Sequence, residues 1–414
     1  MPIVALLLLL VCPRLPLLEA PAVFVFELSD GSSVTGEWLG FSGEGAELST
    51  ATGRAQVAPG DLLLVTGEAA PGDWAPSVPQ DIMLLVGQEG APGLGDRLVG
   101  RLVGGDDLEV RFWVDGAGEV VVPFENIDRL LPATDRPLDR LAQLAAEGFD
   151  DRVWRRRDDS ALDAVDGVVA EVSPEGLVLE SALGDLALAW SEVLAVVLAD
   201  TEHPGRDLPG WPVRLGLQGG SVFSAGLLSV SPESIVVSTQ FSESLQLHHG
   251  ALASMVLSER AAQPPLLLAE LSPVAVDEWP SLGRSELTLF PWRRNLSVAG
   301  SLLRMAGLPR VSGLGVHGNS TLTFEVPAEA TQLRVTVGLS DDVMEIPALG
   351  TVSFTVKSAG LVLAAVERLE EGQSPVVLRI EGLVPGQQLA FLVGDAGDYD
   401  AGDRAVWADG VFVR

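Results

Sequence analysis

Five aspartates stand close together near the C-terminus: Asp395, Asp398, Asp400, Asp403 and Asp409. Carboxylate oxygens are the hard ligands calcium takes, which makes Asp398, Asp400, Asp403 and Asp409 candidate cation ligands. The run is not an EF-hand loop, because Gly402 and Asp403 fall at the wrong offsets and no Glu holds the twelfth place. The same residues also read as an acidic surface turn closed by side-chain-to-backbone hydrogen bonds. Trp407 lies inside this segment. Its ring offers a surface on which the C–H face of a sugar stacks, and its place just before a last strand suits a core equally well. His317, after Gly313-Leu314-Gly315-Val316, is either a donor to a ligand or a hydrogen-bonded structural residue.

Little else in the chain offers chemistry. Four His occur and the single cysteine is Cys12, so thiolate metal sites and intrachain disulfides have no material. No nucleophile–His–Asp signature stands out. Acid pairs such as Glu270 and Asp277 carry no spacing that would set them across a cleft. The expectation is therefore a protein that is not an enzyme. Gly313-x-Gly315-x-x-Gly318 matches a dinucleotide fingerprint, but a strand pattern follows it where a helix is required. The glycines read instead as a tight turn.

The elements that must position these residues are β-strands. The chain has 414 residues and is 47% hydrophobic, enough for several cores. Its net charge is −31 and Lys357 is its one lysine. Such a surface repels phosphate backbones, which argues against a nucleic-acid partner. The opening run to Val11 has the length of a signal-peptide apolar region and is too short to span a bilayer. Residues 1–20 are expected to be that leader, with a secreted, periplasmic or cell-envelope location.

Short alternating strands then recur in four similar groups, marked by Gly36, Gly100, Gly167 and Gly226. The groups span 21–70, 80–135, 161–202 and 210–260. Each is predicted to curl into a small barrel resembling an SH3-like or Sm-like unit. One or two larger antiparallel sheets with similar hairpins are the alternative. Pro137 and the spacing of Leu138, Leu141 and Leu144 predict a helical linker over 136–160, and the prolines in 67–80 predict a loop. Arg155-Arg156-Arg157 is expected to be a solvated turn pairing with Asp150, Asp151, Asp158 and Asp159.

From Pro264 to the end the alternation is clean: Leu322, Phe324 and Val326, then Leu333, Val335 and Val337, then Val352, Phe354 and Val356, then Leu389, Phe391 and Val393. This predicts a two-sheet sandwich over 264–414 and an all-β fold overall. The order of Gly313-Leu314-Gly315-Val316-His317, Leu322-x-Phe324, Asp341-Asp342, Val352-x-Phe354 and Arg404-Ala405-Val406-Trp407-Ala408-Asp409 resembles the NPCBM carbohydrate-binding family. That resemblance covers the C-terminal third and implies a galactose-binding-like jelly roll. It also implies binding of a terminal sugar, often galactose-type, sometimes with a structural calcium. On it, His317, Arg404 and Trp407 become the candidate sugar contacts. Arg404 departs from the family pattern, which places an Asp there. Three functions stay open: an exported carbohydrate-binding protein, a cell-envelope interaction protein with a partner on the β units, and a glycoside hydrolase or its accessory subunit.

Overall fold

The computed structural model describes residues 22–67, 81–85, 95–132, 150–156, 162–199, 207–261, 263–279, 290–342, 350–397 and 402–414. The expected leader, the loop over 67–80 but for Gly67, and the helix expected from Pro137 lie outside them.

Twenty strands form the N-terminal part in four groups of five. The first group is Val23–Leu28, Ser33–Ser42, Gly45–Thr50, Gly53–Val57 and Leu62–Gly67 (β1 to β5). The second is Asp81–Leu85, Arg97–Gly105, Glu109–Val114, Gly118–Pro123 and Ile127–Leu131 (β6 to β10). The third is Asp151–Arg156, Leu162–Val172, Gly176–Ser181, Gly184–Ala189 and Val193–Val197 (β11 to β15). The fourth is Trp211–Leu217, Val222–Val230, Ile235–Ser238, Leu245–Leu247 and Leu252–Leu257 (β16 to β20).

Every group is wired alike. Its first strand pairs with both the second and the fifth, and strands two, three and four form a meander. The long second strand serves two neighbours because it bends at a bulge. One extra residue (Leu39, Val103, Ala170 or Leu228) interrupts the register with the third strand. A bulge sharpens twist and turns a strand, which lets about five short strands curl round one core. The residue just before each bulge is the buried apolar Trp38, Leu102, Val169 or Leu227.

The bend explains the recurring glycine. A Cβ on Gly36, Gly100 or Gly167 would lie 2.3, 2.0 or 2.4 Å from a carbonyl oxygen of the third strand. Measured from the bulge, Gly226 is one residue out of step, and Ala225 holds the equivalent place. The pairing there stops at Gly226–Ser238, so no third-strand residue faces Ala225.

Two sequence expectations are corrected. The linker expected over 136–160 gives way to strand at Asp151, because Val153 faces the core and β11 is the opening strand of its group. Of the expected basic turn, Arg155 lies on a strand and pairs across a hairpin, while Arg157, Asp158 and Asp159 lie outside the described residues. Arg155 bonds Asp163 at 2.7 Å and Arg152 bonds Asp166 at 2.6 Å, because β11 and β12 bring those side chains opposite each other.

Fifth strands join the groups in pairs, β5 with β20 and β10 with β15. Single contacts at Phe41–Val230, Val172–Gly105 and Val222–Arg97 complete the array. His249 sits where the first and fourth groups share a core, its ring edge-on to Phe24 at 5.8 Å. It is 8% exposed and its Nε2 has no hydrogen-bond partner. Burial holds its pKa below the usual histidine value, opposed by hydrogen bonds with the backbone of Ser231 and Ser234. The unfolded chain therefore binds more protons, and stability falls as pH drops below the unfolded value of about 6.5. The wild-type urea midpoint is expected to fall more between about pH 7.5 and about pH 5 than that of His249→Phe. Equal pH slopes for the two proteins would contradict this assignment.

The remaining strands are Leu266–Leu267, Ala275–Glu278, Arg293–Arg294, Arg304–Met305, Leu308–Pro309, Gly313–His317, Ser320–Glu325, Gln332–Leu339, Thr351–Ser358, Leu361–Glu370, Val376–Glu381, Gln388–Gly394 and Arg404–Val413 (β21 to β33). They make the sandwich that alternation predicts. One sheet runs β23-β26-β33-β28-β31, the other β22-β27-β32-β29-β30. Leu322, Phe324, Phe354, Phe391, Leu333, Val335 and Trp407 fill the space between them.

The outer side of the β33 sheet is also covered. Val411 and Val413 join Leu267 and Val311 against Leu63, Leu64, Val222 and Val256 of the array. Arg334 of β28 donates to both carboxylate oxygens of Glu27 in β1, at 2.6 and 3.0 Å, and Arg379 reaches the same carboxylate at 3.3 Å. Arg214 of β16 bonds Asp96 at 2.5 Å and the Val311 carbonyl at 3.4 Å. Sandwich and array thus share one buried seam.

Candidate functional site

With one face of the sandwich against the array, the exposed face is that of the β22-β27-β32-β29-β30 sheet. Period-2 alternation sends Leu322, Phe324, Phe354, Val356, Phe391 and Val393 inward. The alternate residues Thr321, Leu392, Thr355, Ser353 and Gly394 therefore face out. Thr321, Leu392 and Thr355 lie side by side across three strands, in the registers Thr321–Leu392 and Leu392–Thr355. They floor a groove of about 420 Å³. Trp279, just past the edge strand β22, lines it on one side and is 41% exposed. Its backbone N–H donates to the Asn319 carbonyl at 2.9 Å. Asn319 turns the chain from β26 into β27 at φ +63°, a left-handed geometry Asn tolerates. Its Nδ2 donates to Asp395 at 3.4 Å. The floor is hydroxyl and apolar, and the wall is an indole.

No lining residue is a carboxylate. The facing acids of a glycosidase are thus absent from this groove among the described residues. Glu278 lies beside it but turns away, accepting the Trp292 N–H at 2.6 Å. Burial raises its pKa.

His317 and Arg404 are cross-strand partners on β26 and β33. The Phe290 ring stacks on His317 at 5.0 Å, nearly parallel, and Phe290 is 38% exposed. Arg404 donates to the Asp342 carbonyl at 3.0 Å. Both therefore sit close to one end of the sandwich, His317 two residues from the groove-lining Asn319. Trp407 is corrected: it is 1% exposed, edge-on to Phe354 and Phe391 at 5.0 and 5.1 Å. It is a core ring, out of reach of any sugar. Alternation on β33 dictates this, since Ala405 and Trp407 share the inward face.

Asp398 and Asp400 lie outside the described residues. Asp403 is buried and accepts the Thr351 N–H at 3.0 Å. Asp409, buried at φ +47°, accepts the Val311 N–H at 3.1 Å and faces Arg310 at 3.5 Å. A guanidinium already supplies its positive charge, so Asp409 does not fit a calcium ligand. Among the described residues no three His, Cys, Asp or Glu are grouped to hold a metal.

β26, carrying the Gly-Leu-Gly-Val-His run, pairs with β33, carrying the Trp-Ala-Asp run. Residues 273–413 match the NPCBM/NEW2 domain. No curated protein matches the chain. Among solved structures, the chain is similar to the CBM51 of Clostridium perfringens GH95 in complex with methyl-galactose. The two are 15% identical, over 36% of this chain and 99% of that one, with TM-score 0.31. It is also similar to the CBM51-2 and INT domains of Clostridium perfringens ZmpB in complex with GlcNAc, at 17% identity over 43% of this chain, with TM-score 0.31. That alignment spans 36% of the ZmpB structure. The tandem CBM51 modules of a family 98 glycoside hydrolase from Streptococcus pneumoniae align over 94% of this chain and 88% of theirs, at 9% identity and TM-score 0.31. Trp279 lies within the matched span, next to Pro280, and carries none of the motifs on which the family resemblance rests. A Trp-Pro step outside the strand alternation was the available signal.

Proposed function

We propose that the NPCBM domain binds a carbohydrate in the groove beside Trp279, on an exported, non-catalytic protein whose β units present it. The observation that carries this reading is an exposed indole beside a floor of Thr and Ser hydroxyls. An indole face meets the apolar C–H patch of a pyranose, and hydroxyls exchange hydrogen bonds with its OH groups. The match of residues 273–413 to NPCBM/NEW2 supports it. Export rests on the apolar leader expected over 1–20.

The test is a glycan array with the full chain, followed by calorimetry on the best ligand. Trp279→Ala is expected to weaken binding about tenfold or more, the equivalent of about 1.4 kcal/mol. The ring is exposed, so folding should be retained, as circular dichroism would check. Unchanged affinity in Trp279→Ala would remove the groove as the site, and an array with no bound glycan would remove the function.

A further inference from the structure

We propose a second sugar site, on the array: Trp113 in the second group of strands, bracketed by Arg101 and Glu119, receives one neutral pyranose. This site does not depend on the groove beside Trp279.

Phe112 and Val114 of β8 are buried, so Trp113 between them faces outward, and it is 41% exposed. The register sets Arg101 of β7 and Glu119 of β9 directly opposite it on either side. Residues paired in this way share a face, with Cβ atoms about 5 Å apart. Arg101 and Glu119 are exposed as well. Among the described residues, no hydrogen bond, ion pair or ring contact occupies these three side chains.

The fold does not require the indole. Trp113 pairs with Arg101, and the corresponding pairs in the other groups are Glu37–Ser49, Val168–Glu180 and Gly226–Ser238. All four groups build the same five-stranded unit. In the first group the row reads Glu37, Ser49 and Arg54, and Arg54 is taken up by Glu47 at 2.7 Å. In the third it reads Val168, Glu180 and Asp185. Only the second group holds an aromatic ring between a donor and an acceptor. A ring left in water at a place where serine suffices is an apolar surface without a structural use.

The row sets the class of ligand. An indole meets the C–H face of a pyranose. The guanidinium only donates and the carboxylate only accepts, and a sugar hydroxyl answers both. An anion is repelled by Glu119 and a cation by Arg101, which favours a neutral polyol over either. The three-stranded face measures about 14 Å by about 20 Å, well short of the roughly 800 Å² a stable protein interface buries per partner.

The experiment labels the full chain with 5-fluorotryptophan and titrates it with the methyl glycosides of glucose, galactose, mannose, xylose and N-acetylglucosamine, followed by fluorine NMR. The chain has nine Trp, and the Trp113 signal is the one lost in Trp113→Phe. That signal should shift and saturate with at least one glycoside, in the wild type and equally in Trp279→Ala. Arg101→Ala and Glu119→Ala should each weaken the response about threefold or more. A Trp113 signal that stays still through the panel would overturn this site and leave the groove to be judged by the Trp279 signal. A shift that disappears in Trp279→Ala, or one untouched by both flanking variants, would overturn it as well. A dimer in sedimentation that Trp113→Phe dissolves would give the face to a second copy of the chain instead.

Discussion

Replacing Glu27 with Ala is expected to cost about 3–5 kcal/mol of stability, the cost of stranding a buried charge. Glu27 accepts two bonds from Arg334 and one from Arg379. Arg334 is 4% exposed, so without its carboxylate the guanidinium keeps only the Asp409 carbonyl at 3.3 Å. The urea midpoint of the full chain, followed by tryptophan fluorescence, measures the loss. Glu27→Met combined with Arg334→Met should recover much of it, because apolar packing removes the desolvation cost of both ions. A loss below about 1 kcal/mol in Glu27→Ala would mean that the pair does not secure the seam.

Trp407→Ala should be as damaging, at about 3–5 kcal/mol, through the cavity it leaves between Phe354 and Phe391. Its Nε1 has no hydrogen-bond partner. Trp407→Phe should therefore be milder, about 1–2 kcal/mol, since it removes a buried orphan donor together with some volume. The comparison separates core from ligand contact. If Trp407 met a sugar, Trp407→Phe would lose affinity while keeping its melting temperature. The core assignment expects the melting temperature to fall while the folded fraction binds normally.

The strands were legible because one face of each is buried. Leu322-x-Phe324-x-Val326 and Val352-x-Phe354-x-Val356 alternate cleanly, and all six residues are 2% exposed or less. The repeat was legible through a glycine that the bend requires, and its fourth copy misled by one residue because Ala225 suffices where the pairing stops early. The groove was hidden. Trp279, Thr321, Thr355 and Leu392 lie far apart in sequence, and Thr on a solvent face is ordinary in any strand. Trp407 misled for the opposite reason. An aromatic residue beside acids looks like a ligand contact until the strand's phase is known, and that phase is set by pairing with β26 and β28. The seam could not be read at all, since Glu27 and Arg334 are 307 positions apart.

The pairing of β5 with β20 makes the first group of strands a neighbour of the fourth, not of the second. During synthesis the N-terminal group therefore emerges long before the strand that completes its sheet. Until then β5 presents an open edge, and Glu27 waits still longer for Arg334. Such long-range closure is slow and leaves a template for stray pairing between nascent chains. Truncation anywhere before Leu257 should yield a chain that aggregates rather than a smaller working protein, so this architecture matures as one piece and late.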